Sequence, residues 1–377
     1  MQDETWPARP FYSRRHILAL GGGAVAAALL AACGSDDKTS EATTAPGGTT
    51  APAATTAPEG TTAPAATSAP AGTSAPAGTT PATGNGNAAK FGGGGGDGTV
   101  KIGFTAPLTG PLAGFGEANT FILEGINALI ADGIMLGDKS YKVEIIQKDT
   151  ESSSDTAASR AGELILDDGV DLMLSIATPE MINPVADQCE ANGVPCLSTL
   201  APWQPYFFGR GGDPAKGFDW TYHFFWGAEQ LVAVFVDMWN TVDTNKKVGL
   251  LCPNDPDGNA LASADTGFPA GAKAAGYTMV DPGRFETLTA DFSSIIGQFK
   301  DEGVEIVVGI PIPPDFATFW TQANQQGFKP KLITMAKAVL FSSAVEALGD
   351  IGDGLASEIW WTPNHPFSSS LTGEKAH

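Results

Sequence analysis

Positive charge, cysteine, histidine and long apolar runs are all scarce in this chain of 377 residues, and each scarcity removes a class of function. Lys plus Arg number 21 against 42 Asp plus Glu, a net charge of −21, so polyanions are repelled and nucleic acid is a poor partner. Four cysteines, Cys33, Cys189, Cys196 and Cys252, are too few for a disulfide scaffold, and a domain of this length can build its own core. The histidines are His16, His223, His365 and His377, which form no metal-ligand cluster in the sequence. HExxH, GxSxG and the P-loop pattern are absent, so no cofactor and no metal is expected. An enzyme reading then falls back on a hydrolase built from unrecognised residues.

What is present begins with an address. Arg14-Arg15 opens an uncharged run from Ile17 to Ala32 that ends in Leu30-Ala31-Ala32-Cys33. Ser13-Arg14-Arg15-His16-Ile17-Leu18 resembles a twin-arginine export signal, and Leu30-Ala-Ala-Cys33 resembles a bacterial lipobox whose cleavage leaves Cys33 as the lipidated N-terminus. An uncleaved anchor helix is the other reading, but the run falls short of the roughly 20 apolar residues that span hydrocarbon. The expectation is a signal peptide over 1–32 and a protein tethered by lipid outside the cytoplasmic membrane.

Residues 33–98 read as a tether. From Thr43 to Thr83 the chain repeats units such as Thr49-Thr-Ala-Pro-Ala-Ala, which offer no hydrophobic face and predict disorder. Residues 39–98 would span about 45 Å as a coil and up to about 190 Å as extended polyproline II. The Gly92 to Gly98 tract formally contains GxGxxG but precedes a strand, so it carries no dinucleotide signal.

From Thr99 the periodicity alternates. Strands are expected at Val100–Thr105, Tyr141–Gln147, Val170–Ile176 and Val194–Leu197, with helices at Glu117–Ala131, Ser154–Leu166 and Pro179–Ala191. After an aromatic-rich stretch from Ala201 to Trp226 the plan restarts. Helices are expected at Ala228–Trp239, Ala260–Ala275, Phe292–Glu302 and Pro314–Gln326, with strands at Lys247–Cys252, Val304–Gly309 and near Leu332. Alternating β and α with apolar strands argues for an α/β fold of parallel sheets with helices on both faces. Two such units imply an N-terminal lobe over 99–220, a C-terminal lobe over 221–360, and a ligand cleft between the lobes.

Gly103-Phe-Thr-Ala-Pro-Leu-Thr-Gly-Pro111, Cys189-Glu-Ala-Asn-Gly-Val-Pro-Cys196, Lys247-Val-Gly-Leu-Leu-Cys-Pro-Asn-Asp255 and Gln325-Gln-Gly-Phe-Lys-Pro330 together resemble the leucine/isoleucine/valine-binding family of ABC-transporter substrate-binding proteins. The resemblance spans about residues 99–370. It implies the type I periplasmic-binding fold, two Rossmann-like lobes that close on a small solute and present it to an ABC permease, as a monomer without chemistry of its own. The same module in a surface sensor is the alternative. Members usually continue further and return to the first lobe, so the resemblance implies that residues 361–377 are a return segment towards the N-terminal lobe and that the C-terminal part of the fold is truncated.

The resemblance places ligand contacts at strand ends: Leu108, Thr109 and Gly110, Ala177 and Thr178, and Ser198 and Thr199. Residues 108–111 also read as a tight turn, and Thr178 before Pro179 as a helix N-cap. Where amino-acid binders of the family carry an acid for the ligand ammonium, this chain has Thr334-Met335-Ala336-Lys337, which argues for an apolar or aromatic acid unless Asp255, Asp257 or Glu229 compensates. Trp203 and Tyr222 are candidate stacking walls, although alternation of Trp220, Tyr222, Phe224 and Trp226 also predicts one face packed in the core. Asp255, Pro311 and Lys337 complete the candidate set. A disulfide between Cys189 and Cys196 fits an oxidising compartment.

Overall fold

The computed structural model describes residues 90–360 together with 365, 366, 368 and 375. The signal, Cys33 and the tether up to residue 89 lie outside the described residues, as does nearly all of the 361–377 segment. Folded chain starts earlier than Thr99. Strand β1 (Lys90–Phe91) pairs antiparallel with β3 (Ile134–Leu136), and the Gly94 and Asp97 N–H groups donate to Asp132 O and Ser140 O. The glycine tract therefore packs on the hairpin formed by β3 and β4 (Lys139–Asp149), a hairpin whose first strand the periodicity did not separate from its neighbours.

The first sheet also contains β2 (Thr99–Ala106), β5 (Leu172–Ile176), β6 (Cys196–Thr199) and β7 (Thr221–Phe224), in the order β1-β3-β4-β2-β5-β6-β7. From β4 to β7 neighbours are parallel. Because β7 pairs with β6, the first lobe runs to Phe224, beyond the boundary expected at 220. Four helices accompany this sheet: α1 (Asn119–Leu129), α2 (Ser154–Leu166), α3 (Pro179–Asn192) and the short α4 (Trp203–Phe207). The N-cap Ser153 accepts from Thr156 N–H at the start of α2. Helix α3 stops at Gly193, whose φ of 64° lets Val194 N–H reach Cys189 O. Helices α2 and α3 bury Ala157, Ala161, Leu164, Val185 and Cys189 against Met173 and Cys196 on one face of the sheet.

The opposite face is not covered in the same way. Phe104, Leu174, Leu197 and Phe224 line an apolar groove of about 830 Å3 with Ile122 and Ile126 of α1, and Phe224 is 77 % exposed. On this face α1 stands opposite the sheet, and the groove lies between them. The alternation argument for Trp220, Tyr222 and Phe224 fails, because β7 is an edge strand and all three are exposed.

The second sheet follows the order β12-β11-β10-β8-β9, all parallel, from β8 (Lys247–Leu251), β9 (Thr278–Val280), β10 (Ile306–Gly309), β11 (Leu332–Met335) and β12 (Leu355–Ala356). Its helices are α5 (Ala228–Trp239), α6 (Pro256–Leu261), α7 (Phe268–Ala274), α8 (Ser293–Asp301), α9 (Pro313–Gln325) and α10 (Ser342–Glu346). The single helix expected over 260–275 is two, with Gly267 as the N-cap of α7 and Pro269 in its first turn. Here both faces are buried. Ile306 and Val308 pack with Phe235 and Phe268, while Val307 packs with Phe299, Phe316 and Phe319. That two-sided burial explains the uninterrupted apolar run in β10. In each lobe the first parallel strand is internal and the chain goes to one side of it, then the other, which opens a crevice at the carboxyl ends.

Candidate functional site

Strand ends of both lobes meet around one cavity of about 210 Å3, lined by Pro111, Leu112, Ser152, Thr178, Glu180 and Met181 from the first lobe and by Asp255, Thr287, Leu288, Ile312 and Lys337 from the second. Ligand sites commonly start near 300 Å3, so this cavity suits a small solute. An apolar contact between the lobes flanks it. Leu112, Phe115, Ala177, Met181 and Leu200 pack with Ile312, Phe341 and Trp360.

Backbone strain gathers at this place. Ser152, Leu288 and Lys337 have φ of 55°, 64° and 48°, and Ala177, next to Thr178, has φ of 104°. Left-handed conformations cost non-glycine residues energy and persist where surrounding structure enforces them.

The 108–112 loop folds around Asp149. Its Oδ1 accepts from Leu108 N–H at 2.8 Å, Thr109 N–H at 3.3 Å and Glu151 N–H at 2.8 Å, and its Oδ2 accepts from Thr109 Oγ1 at 2.7 Å. Burial works to raise the Asp149 carboxyl, but these bonds outweigh it and hold it below its ordinary value. The Leu108 and Thr109 N–H groups are thus spent inside the lobe instead of facing the cleft. Gly110, with φ of 83°, is required: a Cβ there would lie 2.7 Å from Ser152 Oγ. Ser152 Oγ donates to Thr109 O and accepts from Leu112 N–H, which brings Pro111, Leu112 and Ser152 to the cavity wall.

Thr178 occupies the N-cap position of α3, yet its side chain makes no capping bond. The residue is 2 % exposed and its Oγ1 has no hydrogen-bond partner among the described residues. Two residues on, Glu180 lines the cavity with a buried Oε2 that is likewise without a partner.

Lys337 is the larger surprise. A ligand candidate from the sequence, it is 4 % exposed although a lone lysine is ordinarily a solvated surface charge, with Nζ 3.0 Å from Asp257 Oδ2 and 3.4 Å from Asp255 Oδ2. Burial works to strip its proton, but the charges of Asp255, Asp257 and Glu180 outweigh it and raise the ammonium above its ordinary value. Asp255 uses its other oxygen to cap α6, accepting from Gly258 N–H at 2.6 Å. Burial pushes the Asp257 carboxyl up against the pull of Lys337, and pushes Asp315 up to about 6.

The remaining candidates sit elsewhere. Ser198 is buried with Oγ 2.9 Å from His223 Nδ1, and Thr199 Oγ1 donates to Phe224 O at 2.6 Å, so both hydroxyls tie β6 to β7. His223 Nε2 contacts Ala201 O, not a carboxylate, and burial lowers the imidazole's pKa, which makes the Ser198–His223 pair a packed core contact. Trp203 Nε1 donates to Glu229 Oε1 at the lobe crossover, Tyr222 stands exposed on β7, and Pro311 precedes the cavity residue Ile312. Cys189 and Cys196 are buried free thiols in hydrogen-bond contact, which with burial raises the Cys189 pKa. Of the residues expected from sequence, Thr178, Asp255 and Lys337 meet in the cavity. Ser152, Glu180, Leu288 and Ile312 were not foreseen. The Pro179-Glu180 step at the helix start was a signal for Glu180; nothing local marks the others.

The chain belongs to the periplasmic binding protein family, which it matches over residues 99–372. Curated relatives include Leu/Ile/Val-binding protein homolog 8 of Brucella abortus (strain 2308), 25 % identical over 246 residues covering 62 % of this chain and 57 % of the relative. Leu/Ile/Val-binding protein homolog 3 of Brucella melitensis is 28 % identical over 214 residues, 55 % of this chain and 53 % of the relative. The chain therefore spans little more than half the length of these relatives. The same fold occurs in the leucine-binding protein LivK of Thermotoga maritima, with a TM-score of 0.58 at 19 % identity, covering 74 % of this chain and 77 % of that one. A solute-binding protein of an R. palustris ABC transporter, solved with 4-hydroxybenzoate, gives 0.58 at 19 % identity over 72 % and 71 % of the two chains. LivJ of Streptococcus pneumoniae, solved with isoleucine, gives 0.51 at 21 % identity over 67 % and 68 %.

Proposed function

We propose that this protein is the extracytoplasmic solute-binding lipoprotein of an ABC importer, a monomer tethered through Cys33 that captures one small carboxylate-bearing solute between two closing lobes and delivers it to a membrane permease. The observation that carries the reading is the cavity at opposed strand ends, to which each lobe contributes polar groups. Membership of a solute-binding family supports it, as does the range of solutes named for proteins of the same fold, isoleucine and 4-hydroxybenzoate among them. Thr178 and Ser152 form the hydroxyl wall of the first lobe, and Asp255 with Lys337 the charged wall of the second. Capture needs no bond-making, only a preference of the solute for the closed arrangement of lobes.

Thermal unfolding of the full-length protein against branched amino acids, aromatic carboxylates, short amides and sugars tests this. At 100 times Kd a ligand adds about 2.7 kcal/mol of stability. Stabilisation by one chemical class is the expected result; absence of any shift across the panel defeats solute capture. For the anchor, Cys33→Ala is expected to move the protein from the detergent phase to the aqueous phase on partitioning, and an unchanged distribution argues against lipid at Cys33.

A further inference from the structure

The cavity wall holds more negative than positive charge. Lys337 is already engaged by Asp255 and Asp257, at 3.4 and 3.0 Å. Buried Asp315 lies close enough that Lys337 and Asp255 both act on it, and Glu180 acts on Lys337 and Asp257 from the first lobe. Lys337 is the cation that bears on both Asp257 and Asp315. Carboxylates removed from water without a partner are costly, and three buried oxygens here lack a hydrogen bond: Asp257 Oδ1, Asp315 Oδ2 and Glu180 Oε2, of which only Glu180 belongs to a residue that lines the cavity.

A second observation points the same way. Thr178, 2 % exposed, presents its unpartnered hydroxyl to the same cavity. A helix start is ordinarily a place for anions, but this one is compromised in that role. Pro179 supplies no N–H, Met181 N–H is engaged by Thr178 O, and the Glu180 carboxylate stands in the first turn.

We propose that the solute taken by this cleft carries a cationic nitrogen, and that Glu180 is the side chain that pairs with it. The inference rests on the solute-capture reading and narrows it to amine-bearing solutes, with the acid that holds the nitrogen supplied by the first lobe. It also resolves the position of Lys337. A lysine at the end of β11 does not exclude an ammonium ligand, because its charge is absorbed by the two aspartates of the second lobe.

The test is isothermal titration of the full-length protein and of Glu180→Gln with matched probes: leucine against 4-methylpentanoate, phenylalanine against 3-phenylpropanoate, and putrescine and 4-hydroxybenzoate as probes whose charge is of one sign only. An amine-bearing probe is expected to bind while its nitrogen-free partner does not. Glu180→Gln is expected to weaken the amine about 10- to 100-fold, the worth of a hydrogen bond to a charged group, while leaving the unfolding midpoint in place. A change in the ratio between matched probes is something a purely structural role would not produce. Equal or tighter binding of the nitrogen-free acids, unaffected by Glu180→Gln, overturns the inference and leaves solute capture standing. Failure of every probe overturns the reading on which it rests.

Discussion

Lys337, Asp257 and Asp315 show how little a residue's type says about its burial when partners come from distant parts of the chain. Removing the ammonium alone would strand two carboxylates in the second lobe. Lys337→Met is expected to destabilise the protein by about 3–5 kcal/mol, and Lys337→Met with Asp257→Asn to recover part of that, measured by urea unfolding. Asp315 permits a pH test. Its carboxyl is pushed up to about 6 in the folded state, so its contribution is fully present below about pH 4 and is lost as pH rises through about 6. Asp315→Asn lacks this dependence. Its stability relative to the unmodified protein is expected to improve by about 1–2 kcal/mol between pH 4 and 7, and a constant difference across that range would refute the buried, proton-holding carboxyl. Thr178→Val replaces a hydroxyl that caps nothing, so it is expected to leave urea stability within about 0.5 kcal/mol while weakening ligand binding.

Elements were legible where one physical signal acted alone. Helix α3 begins at a proline and ends at a left-handed glycine, and its extent is close to the sequence expectation. Gly193→Ala is expected to cost about 1 kcal/mol in urea unfolding, from backbone conformation alone, because the nearest atom to an added Cβ is 3.5 Å away on Trp220. Two-sided burial made β8 and β10 easy to read as strands. The short β3, β9 and β12 were lost because two or three residues carry too little periodicity, and the burial of β7 was misread from aromatic alternation that ordinarily marks a buried face. The cavity was half legible for a related reason. Strand ends can be placed from local pattern, which located Thr178 and Asp255. The pairing of Lys337 across 80 and 82 residues with Asp257 and Asp255, and the engagement of the Leu108 and Thr109 amides by Asp149, are long-range facts no local pattern contains.

Across the whole molecule, the crossover between lobes is braced by side chains. Glu229 at the start of α5 accepts from Trp203 Nε1 at 3.1 Å and from Gln204 Nε2, while Gln204 Oε1 accepts from Ala228 N–H at 2.9 Å. Glu229→Ala is expected to loosen this joint and raise the unliganded protein's radius of gyration by small-angle scattering; an unchanged value would show that the apolar contact around Ile312 and Phe341 alone holds the lobes. On the proposed closing of the lobes, a brace beside the crossover would act as an axle about which the jaws swing, bringing Ser152 of one jaw and Leu288 of the other together across the cavity. Under that proposal, solute size would be gauged by the angle at which the jaws stop.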